Sequence, residues 1–364
     1  MPRPVTMNDV ARAAGVSPMT VSNVVNGRPG VSEVVRRRVL EQIEATGYRM
    51  NAAARNLRSG RSGVIGLAVP ELDRSYYGLL GARITAAARD RGYRVAVEET
   101  GAGEAGELDA IQLSQSLQYD GLILASVGMD LTRLAGLNSS TAQPFPIVLL
   151  GERETPIGVD HIAMPNHDGA RTAVRHLAER GARRVAYVGG PRTEEVSIRS
   201  LRLAGFEAGL GEAGLRPAEG TEDLVTEVDE ITMEAGCRAG HRLAEAEHHP
   251  DAVLAITDTV ALGVVRGLRD RGLQVPEDVL VAGFDDIPES EFLTPSLTTV
   301  RPDHRWMAER AVELLMGRIN PTHVRTSARA GQTPAVRETG QQSPGPGHQA
   351  VAPFELICRE STSR

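Results

Sequence analysis

Thr6-Met7-Asn8-Asp9-Val10-Ala11-Arg12-Ala13-Ala14-Gly15-Val16-Ser17-Pro18-Met19-Thr20-Val21-Ser22-Asn23-Val24-Val25-Asn26-Gly27 is the stretch whose reading decides the fold. It reads as two short helices joined by a tight turn. Thr6 stands where a cap for the first helix is needed, and Val10, Ala13 and Ala14 give that helix an apolar face. Gly15 ends it, because a left-handed backbone costs glycine little. Ser17 is the second N-cap, Pro18 takes the first helical position, and Val21, Val24 and Val25 return to the apolar face. Helix, glycine turn and helix in this order predict a helix-turn-helix, whose second helix enters the major groove of DNA. Ser32 opens a third helix over 33–46, with Val35, Val39, Leu40 and Ile43 expected inside and Arg36, Arg37 and Arg38 outside.

Charge supports this reading once it is divided. The chain has 364 residues and a net charge of −7, yet residues 1–61 carry ten arginines against four acids, so the head is +6 and the remainder −13. A basic head on an acidic body is the footprint of phosphate binding confined to the head. There is no lysine at all, which reads as a compositional bias. No apolar run is long enough to span a membrane and no export signal opens the sequence, so a cytoplasmic protein is expected. Cys237 and Cys358 are far apart and form no metal-ligand spacing, so free thiols, no metal and no cofactor are expected.

Residues 49–61 form a short basic link in which Asn51 caps a helix of two turns at most, too short to hold alone in water. Leu57 is its one large apolar side chain. From Val64 onward, strands alternate with helices in two successive runs, which predicts two α/β lobes with parallel sheets and a ligand cleft between them. The first helix of the core is expected from Gly78, with Tyr76 and Tyr77 in the loop before it, at the mouth of the cleft. From Asn320 to Pro353 periodicity is lost. Gln341 to Gln349 is polar and rich in proline and glycine, so 321–352 is expected to be a disordered insert. Phe354 to Cys358 reads as a final strand.

With Asn8-Asp9-Val10-Ala11, Gly15-Val16-Ser17 and Thr20-Val21-Ser22 in the head, and Ala54-Arg55-Asn56-Leu57 in the link, the chain resembles the lactose- and galactose-repressor family of bacterial transcription regulators. Thr257-Asp258, Ala261-Leu262-Gly263, Val275-Pro276-Glu277-Asp278, Gly283-Phe284-Asp285-Asp286 and Leu297-Thr298-Thr299-Val300 extend the resemblance through the core. It implies an all-α helix-turn-helix head and an α/β core of two periplasmic-binding-protein-like lobes with parallel sheets. The expected boundaries are a head at 1–48, a hinge at 49–61, an N-terminal lobe of 62–164 plus 301–320 and a C-terminal lobe of 165–300 plus 353–364. It also implies a homodimer on near-palindromic double-stranded DNA, with affinity set by a small effector such as a sugar, and no membrane partner.

The resemblance carries site residues. Pro18, Met19, Thr20 and Asn23 would read bases, Asn23 by pairing its amide with adenine. Thr6, Ser17, Ser22 and Asn26 would meet phosphates. Ala54, Arg55 and Leu57 would enter the minor groove, with Leu57 as a wedge that kinks the duplex. Tyr76, Tyr77, Thr257, Asp285 and either Arg199 or Arg202 would meet the effector; the resemblance leaves open which arginine, and whether ligand releases or promotes DNA binding. Asp258 is expected to be structural, as a helix cap. A polar residue that often precedes this acid is here Thr257, an acid of some members is Gly151, and a stacking aromatic is Ile231.

Two rivals are weaker. Gly101-Ala102-Gly103-Glu104-Ala105-Gly106 fits a dinucleotide fingerprint, but it follows the second strand, and Glu98, Glu99, Glu104 and Glu107 would repel a pyrophosphate, so no NAD-type enzyme is expected. A solute-binding protein for transport would share the lobes but not the head. His241, His248 and His249 read as a polar helix end.

Overall fold

The computed structural model describes residues 5–25, 28–48, 61–129, 134, 144–151, 159–190, 193, 196–215, 225–320 and 347–364. The chain divides into two compact units, Met1–Ser62 and Gly63–Arg364.

The first unit holds three helices, α1 (Met7–Ala14), α2 (Pro18–Val25) and α3 (Glu33–Thr46). The Asp9 carboxylate reaches back to the Thr6 N–H (2.9 Å) and hydroxyl (2.6 Å), and Gly15 ends α1 at φ 63°. Val10, Ala11, Ala14, Val21, Val24 and Val39 make the core. Two expectations fail on facing. Ala13 is exposed and Ala11 is inside, and Leu40 is 50% exposed while Val35 and Ile43 are half-buried. The small core closes over Val39 alone on α3, and Arg36 turns partly inward to donate to the carbonyls of Val24 (3.5 Å) and Arg28 (3.4 Å).

The second unit is built on two six-stranded sheets. The first contains β1 (Val64–Val69), β2 (Arg94–Glu99), β3 (Gly121–Ser126), β4 (Ile147–Gly151), β5 (Asp160–Ala163) and β11 (Gln349–Val351), ordered β11-β5-β4-β3-β1-β2 and wholly parallel. The second contains β6 (Val185–Gly189), β7 (Val225–Glu227), β8 (Ala252–Ala255), β9 (Leu280–Phe284), β10 (Thr298–Pro302) and β12 (Phe354–Ile357), ordered β12-β10-β9-β8-β6-β7, with only β12 antiparallel. β3 and β9 are buried along their whole length, which is why they read as continuous apolar runs. Helices α4 (Ser75–Arg89), α5 (Glu104–Ser116) and α11 (His304–Ile319) flank the first sheet. Helices α6 (Asn166–Glu179), α7 (Ile198–Glu212), α8 (Met233–Glu245), α9 (Asp258–Asp270) and the short α10 (Glu289–Phe292) belong to the second lobe.

The chain passes between lobes after β5, after β10 and between β11 and β12. These crossings are tied by Asp303 N–H to the Pro353 carbonyl (2.8 Å) and Ala352 N–H to the Ala163 carbonyl (2.9 Å). The segment expected to lack structure over 321–352 ends instead in β11, which pairs with β5. Asp160 anchors it, accepting from Arg318 Nε (2.8 Å) and Nη2 (2.9 Å) and from the His348 N–H (2.8 Å). Among the described residues no helix is long and apolar enough to cross a membrane.

Helices α8 and α9 meet through glycines. A Cβ on Gly236 or Gly263 would overlap the facing backbone carbonyl of Val260 or Met233, and one on Gly240 would lie 2.6 Å from the Val264 carbonyl. Backbone cannot yield as a side-chain tip can, so Gly263→Ala is expected to destabilise the core by at least about 1–3 kcal/mol in denaturant unfolding. Gly78 is the control, an exposed position on α4 with nothing within 4 Å of an added Cβ; Gly78→Ala should stabilise by about 0.5–1 kcal/mol.

Candidate functional site

The head presents the N-terminal half of α2. Pro18 and Met19 are exposed, Met19 to 60%, and Thr20 and Asn23 are half-buried beside them. Ser17 caps the helix, its Oγ accepting from the Thr20 N–H at 3.1 Å. Ser22, expected at a phosphate, is 7% exposed. It is buried on α2 together with Val21 and Val24. Asn26, Ala54, Arg55 and Leu57 lie outside the described residues.

In the core, Arg202 is buried beyond the C-terminal ends of β8 and β9, on the side where α4 of the first lobe approaches. The side chain leaves α7 and is 1% exposed. Its Nε donates to Asn166 Oδ1 (2.8 Å), its Nη1 to the Ile256 carbonyl and its Nη2 to Asp285 Oδ1 (3.0 Å), while the guanidinium lies 3.5 Å from the centre of the Phe284 ring. Arg199, one turn earlier, points elsewhere and ties α7 to the carbonyls of Val228 (2.7 Å) and Asp229 (2.8 Å). Of the two arginines, only Arg202 is built into the cleft.

Asp285 follows β9 at φ 105°, a region that side chains rarely adopt. Its N–H is held by the Val300 carbonyl at 2.9 Å. Burial pushes its carboxyl above the ordinary range, with the Arg202 charge opposing that rise. Thr257 is 2% exposed and accepts from the Val260 N–H at 3.3 Å, so it is the cap of α9. That is the role expected of Asp258. Asp258 is instead a fully buried acceptor for Thr299 Oγ1 (2.6 Å), Ser290 Oγ (2.7 Å) and the Ile287 N–H (3.0 Å), pinning the turn after β9.

Tyr76 and Tyr77 are not in a loop. The helix begins at Ser75, three residues earlier than expected, and both rings are buried on its first turn. With Leu80, Ala125, Ser126, Val127, Leu150 and Gly151 they line a small recess beyond the ends of β3 and β4. Tyr76 Oη lies 3.4 Å from Met164 Sδ, and Arg202 Nη2 lies 3.9 Å from the same sulfur, so Met164 separates the recess from the buried ion pair. Ser75 Oγ donates to Glu289 Oε1 at 2.6 Å, joining α4 of one lobe to α10 of the other.

Sequence reasoning missed Arg74, Asn166, Glu289 and His304. Arg74 lies 5.6 Å from the centre of the Tyr77 ring and within electrostatic reach of Asp285. His304 stands edge-on to Tyr76, and burial lowers its imidazole to about 4, so it is neutral. Arg74 Nε, Asn166 Nδ2 and His304 Nε2 are buried with no hydrogen-bond partner among the described residues. A signal existed for Asn166, a polar residue after Pro165 at the start of α6.

The chain matches the model of the lacI family of bacterial regulatory proteins over residues 6–51 and that of a periplasmic binding protein-like domain over 174–362. It is 34% identical over 296 residues to catabolite control protein A of Priestia megaterium, covering 81% of this chain and 87% of that protein. The transcriptional repressor CytR of Escherichia coli is 29% identical over 324 residues, 89% of this chain and 92% of that one. A lac repressor dimer bound to operator and the anti-inducer ONPF superposes with a TM-score of 0.80 at 26% identity, covering 99% of both chains. The transcriptional regulator CelR in complex with cellobiose gives 0.65 at 28% identity over 99% of this chain and 100% of that one.

Burial, and then the charge of Asp285, raise the Asp258 carboxyl from 3.8 to about 8. The folded chain therefore keeps a proton that the unfolded chain has released. The stability this gives is complete below the ordinary carboxylate value and is lost as pH rises through about 8. Unfolding free energy should fall between about pH 5 and about pH 8, and the uncharged isostere Asp258→Asn should flatten that fall; denaturant unfolding of both proteins across the range checks it.

Proposed function

The chain belongs to the lacI family of bacterial regulatory proteins and is a DNA-binding transcriptional regulator, and from this premise we propose that it acts as a homodimeric repressor on a near-palindromic operator, with its grip set by a small polar metabolite, a sugar or a relative of one, taken between the lobes. The near full-length likeness to an operator-bound dimer carries this reading. In this reading the protein works in the cytoplasm and has no catalytic role.

In this reading residues 1–48 are the reader and 49–61 the hinge. The N-terminal lobe is 62–164 with 301–320 and the returning strand β11, and the C-terminal lobe is 165–300 with 353–364. Pro18, Met19, Thr20 and Asn23 face base edges. Pro18 and Met19 offer apolar contact, and Asn23 offers an amide that pairs with adenine. Thr6, Ser17 and Asn26 meet phosphates, which set register without reading sequence. Ala54, Arg55 and Leu57 enter the minor groove, where the Leu57 side chain unstacks a base step and bends the duplex.

The effector reading rests on the cleft. Arg202 and Asp285 present a pre-oriented ion pair, and Tyr76 closes the opposite wall. Arg74 Nε and Asn166 Nδ2 are buried donors in need of acceptors, and the neutral His304 ring can serve either way at Nε2. A polyhydroxylated ligand satisfies such a set, since each hydroxyl both donates and accepts. Thr257, occupied as a cap, and Arg199, occupied at the 228–229 carbonyls, are left out of the contact set. Ligand acts on DNA only by binding two lobe arrangements unequally. The Ser75–Glu289 contact is one that differs between them, because its two halves belong to different lobes.

Selection from a random duplex pool by the purified full-length chain tests the proposal. A near-palindromic site is expected, bound with strong salt dependence and lost on removal of residues 1–61. Recovery of no preferred sequence would overturn it. Leu57→Ala should weaken that site by about 10-fold or more with unfolding of the core unchanged, and Asn23→Ala should cost about 1–3 kcal/mol and relax choice at one base pair. In a thermal-shift screen of sugars and nucleosides, Asp285→Asn should lose the response of the wild type while its affinity for the selected duplex persists.

A further inference from the structure

One cluster of chemistry-bearing side chains takes no part in the cleft. Cys237 and His241 stand one helical turn apart on α8, and Asp270 is the last residue of α9. Cys237 Sγ lies 3.7 Å from His241 Nε2, which lies 3.3 Å from Asp270 Oδ2, and the three atoms all fall within 4.8 Å of one another. We propose that Cys237, His241 and Asp270 bind a borderline transition-metal ion, zinc before others, as three protein ligands with a fourth position left to solvent or a small exogenous ligand.

The distances suit the ion. Tetrahedral zinc with bonds of about 2.3 Å to sulfur and about 2.0–2.2 Å to nitrogen and oxygen sets its ligand atoms roughly 3.3–3.6 Å apart. The two pairs that share His241 already stand close to that, and rotation of the Cys237 thiol closes the third. The spacing is also suitable: residues four apart on a helix share a face, and a cysteine, a histidine and a carboxylate form a donor set that suits zinc, cobalt or nickel better than magnesium or calcium.

The glycine seam supplies the rigidity. A Cβ on Gly263 would lie 2.7 Å from the Cys237 nitrogen, and one on Gly267 would lie 2.9 Å from the His241 nitrogen. The backbone that carries both α8 ligands is thus pressed against the helix that carries the third, and the two helices cannot drift apart. Asp270 is also oriented from outside. Arg266 Nε donates to its Oδ1 at 2.7 Å, which leaves Oδ2 facing His241. Arg266 and then His241 hold the Asp270 carboxyl below the ordinary range, so it is an anion at neutral pH. The His241 and Asp270 side chains are 27% and 32% exposed, enough for an ion to enter.

Binding releases one proton, from the Cys237 thiol to solvent. His241 ligates through Nε2 with its remaining proton on Nδ1. Thiolate and carboxylate then cancel the dipositive charge. His248 and His249 lie past the end of α8 and are exposed, His249 Nδ1 facing the Pro250 carbonyl at 3.1 Å, so neither joins the cluster. Cys358 also meets a histidine, His176, at 3.8 Å, but the other His176 nitrogen is taken by Thr362 Oγ1 at 2.9 Å and no third ligand joins them among the described residues. That pair serves as the internal control.

Purified full-length protein, stripped of metal, is titrated with Co²⁺ as a spectroscopic probe and then with Zn²⁺ as competitor. One Co²⁺ per chain is expected, with a thiolate-to-cobalt charge-transfer band that Zn²⁺ abolishes. The band should persist in Cys358→Ser and vanish in Cys237→Ser, while His241→Ala and Asp270→Asn weaken Co²⁺ binding by about 10-fold or more. Thermal unfolding without metal should be alike in Cys237→Ser and the wild type, which separates lost ligation from lost fold; should that variant unfold, Asp270→Asn carries the test. Absence of the band, its survival in Cys237→Ser, its loss in Cys358→Ser, or one ion per two chains would each overturn the proposal.

Discussion

A guanidinium with 1% of its surface exposed must be neutralised where it stands, and the geometry of the cleft follows from that requirement at Arg202. Its partners come from separate places in the chain: Asn166 at the start of α6, the Ile256 carbonyl just past β8 and Asp285 just past β9. Meeting the charge therefore fixes three element ends at one edge of the second sheet. Removing one partner of such a pair costs about 3–5 kcal/mol, more than any single apolar contact nearby. The same requirement accounts for the backbone of Asp285. A side chain at φ 105° stores on the order of 1–3 kcal/mol of strain, and here the strained turn aims a carboxylate at the guanidinium.

The two lobes differ in how firmly they are held within and between themselves. In the second lobe α8 and α9 touch backbone to backbone through Gly236, Gly240, Gly263 and Gly267, and Asp258 locks the turn after β9 with three accepted hydrogen bonds. Such an assembly moves as one body, because close-packed interiors do not deform continuously. Between lobes the described residues make three chain crossings and the contacts that join α4 to the second lobe. There the Asp303 N–H meets the Pro353 carbonyl, and the Ala352 N–H meets the carbonyl of Ala163 at the end of β5. A change of angle between the lobes disturbs few bonds, so a ligand of modest differential affinity is able to bias it.

Much of this was legible in sequence, and the exceptions have physical reasons. The head helices were marked by Gly15, Ser17 and Pro18, local devices that act through their own backbone. β3 and β9 were marked by unbroken apolar runs. β5 was not, because its Asp160 and His161 are buried by long-range partners, Arg318 and the distant His348, that no local pattern reveals. β11 was hidden for a related reason: three residues at a sheet edge need little hydrophobicity, and the polar, proline-rich text before them masks the change. In the site, Asp285 and Arg202 were within reach because they stand in recognisable stretches. Arg74, Asn166 and His304 were not, since what makes them notable is burial of a nitrogen without a partner, and burial is set by tertiary packing. Leu40 failed in the opposite sense, expected inside and found exposed. Helical periodicity gives a face, but how deep a side chain sits on that face depends on how close the next helix comes, and a core as small as that of the head buries only its central positions.

The remaining step is how a change of lobe angle could reach residues upstream of the core, and the chain supplies it at its point of entry into the first sheet. The Gly63 N–H donates to Asp120 Oδ2 at 2.8 Å, the Asp120 N–H donates to the Val64 carbonyl at 2.8 Å, and the Arg94 N–H donates to the Gly63 carbonyl at 3.0 Å. Three bonds on two consecutive residues leave no slack there. Residue 63 moves with the first sheet, and that sheet carries α4 with Tyr76 at the cleft and Ser75 on Glu289. A ligand that draws α4 toward Arg202 and Asp285 therefore displaces the anchor of the link by the same rigid-body motion. In a dimer, two such anchors change their separation together. A link as short as 49–61, for which the sequence predicts a helix of two turns at most, would depend on that separation for a partner against which to fold. Regulation then needs no conduit of side chains from cleft to head. It needs a stiff sheet, a clamped entry and a marginal helix, and this chain combines the first two with a link sequence that supplies the third.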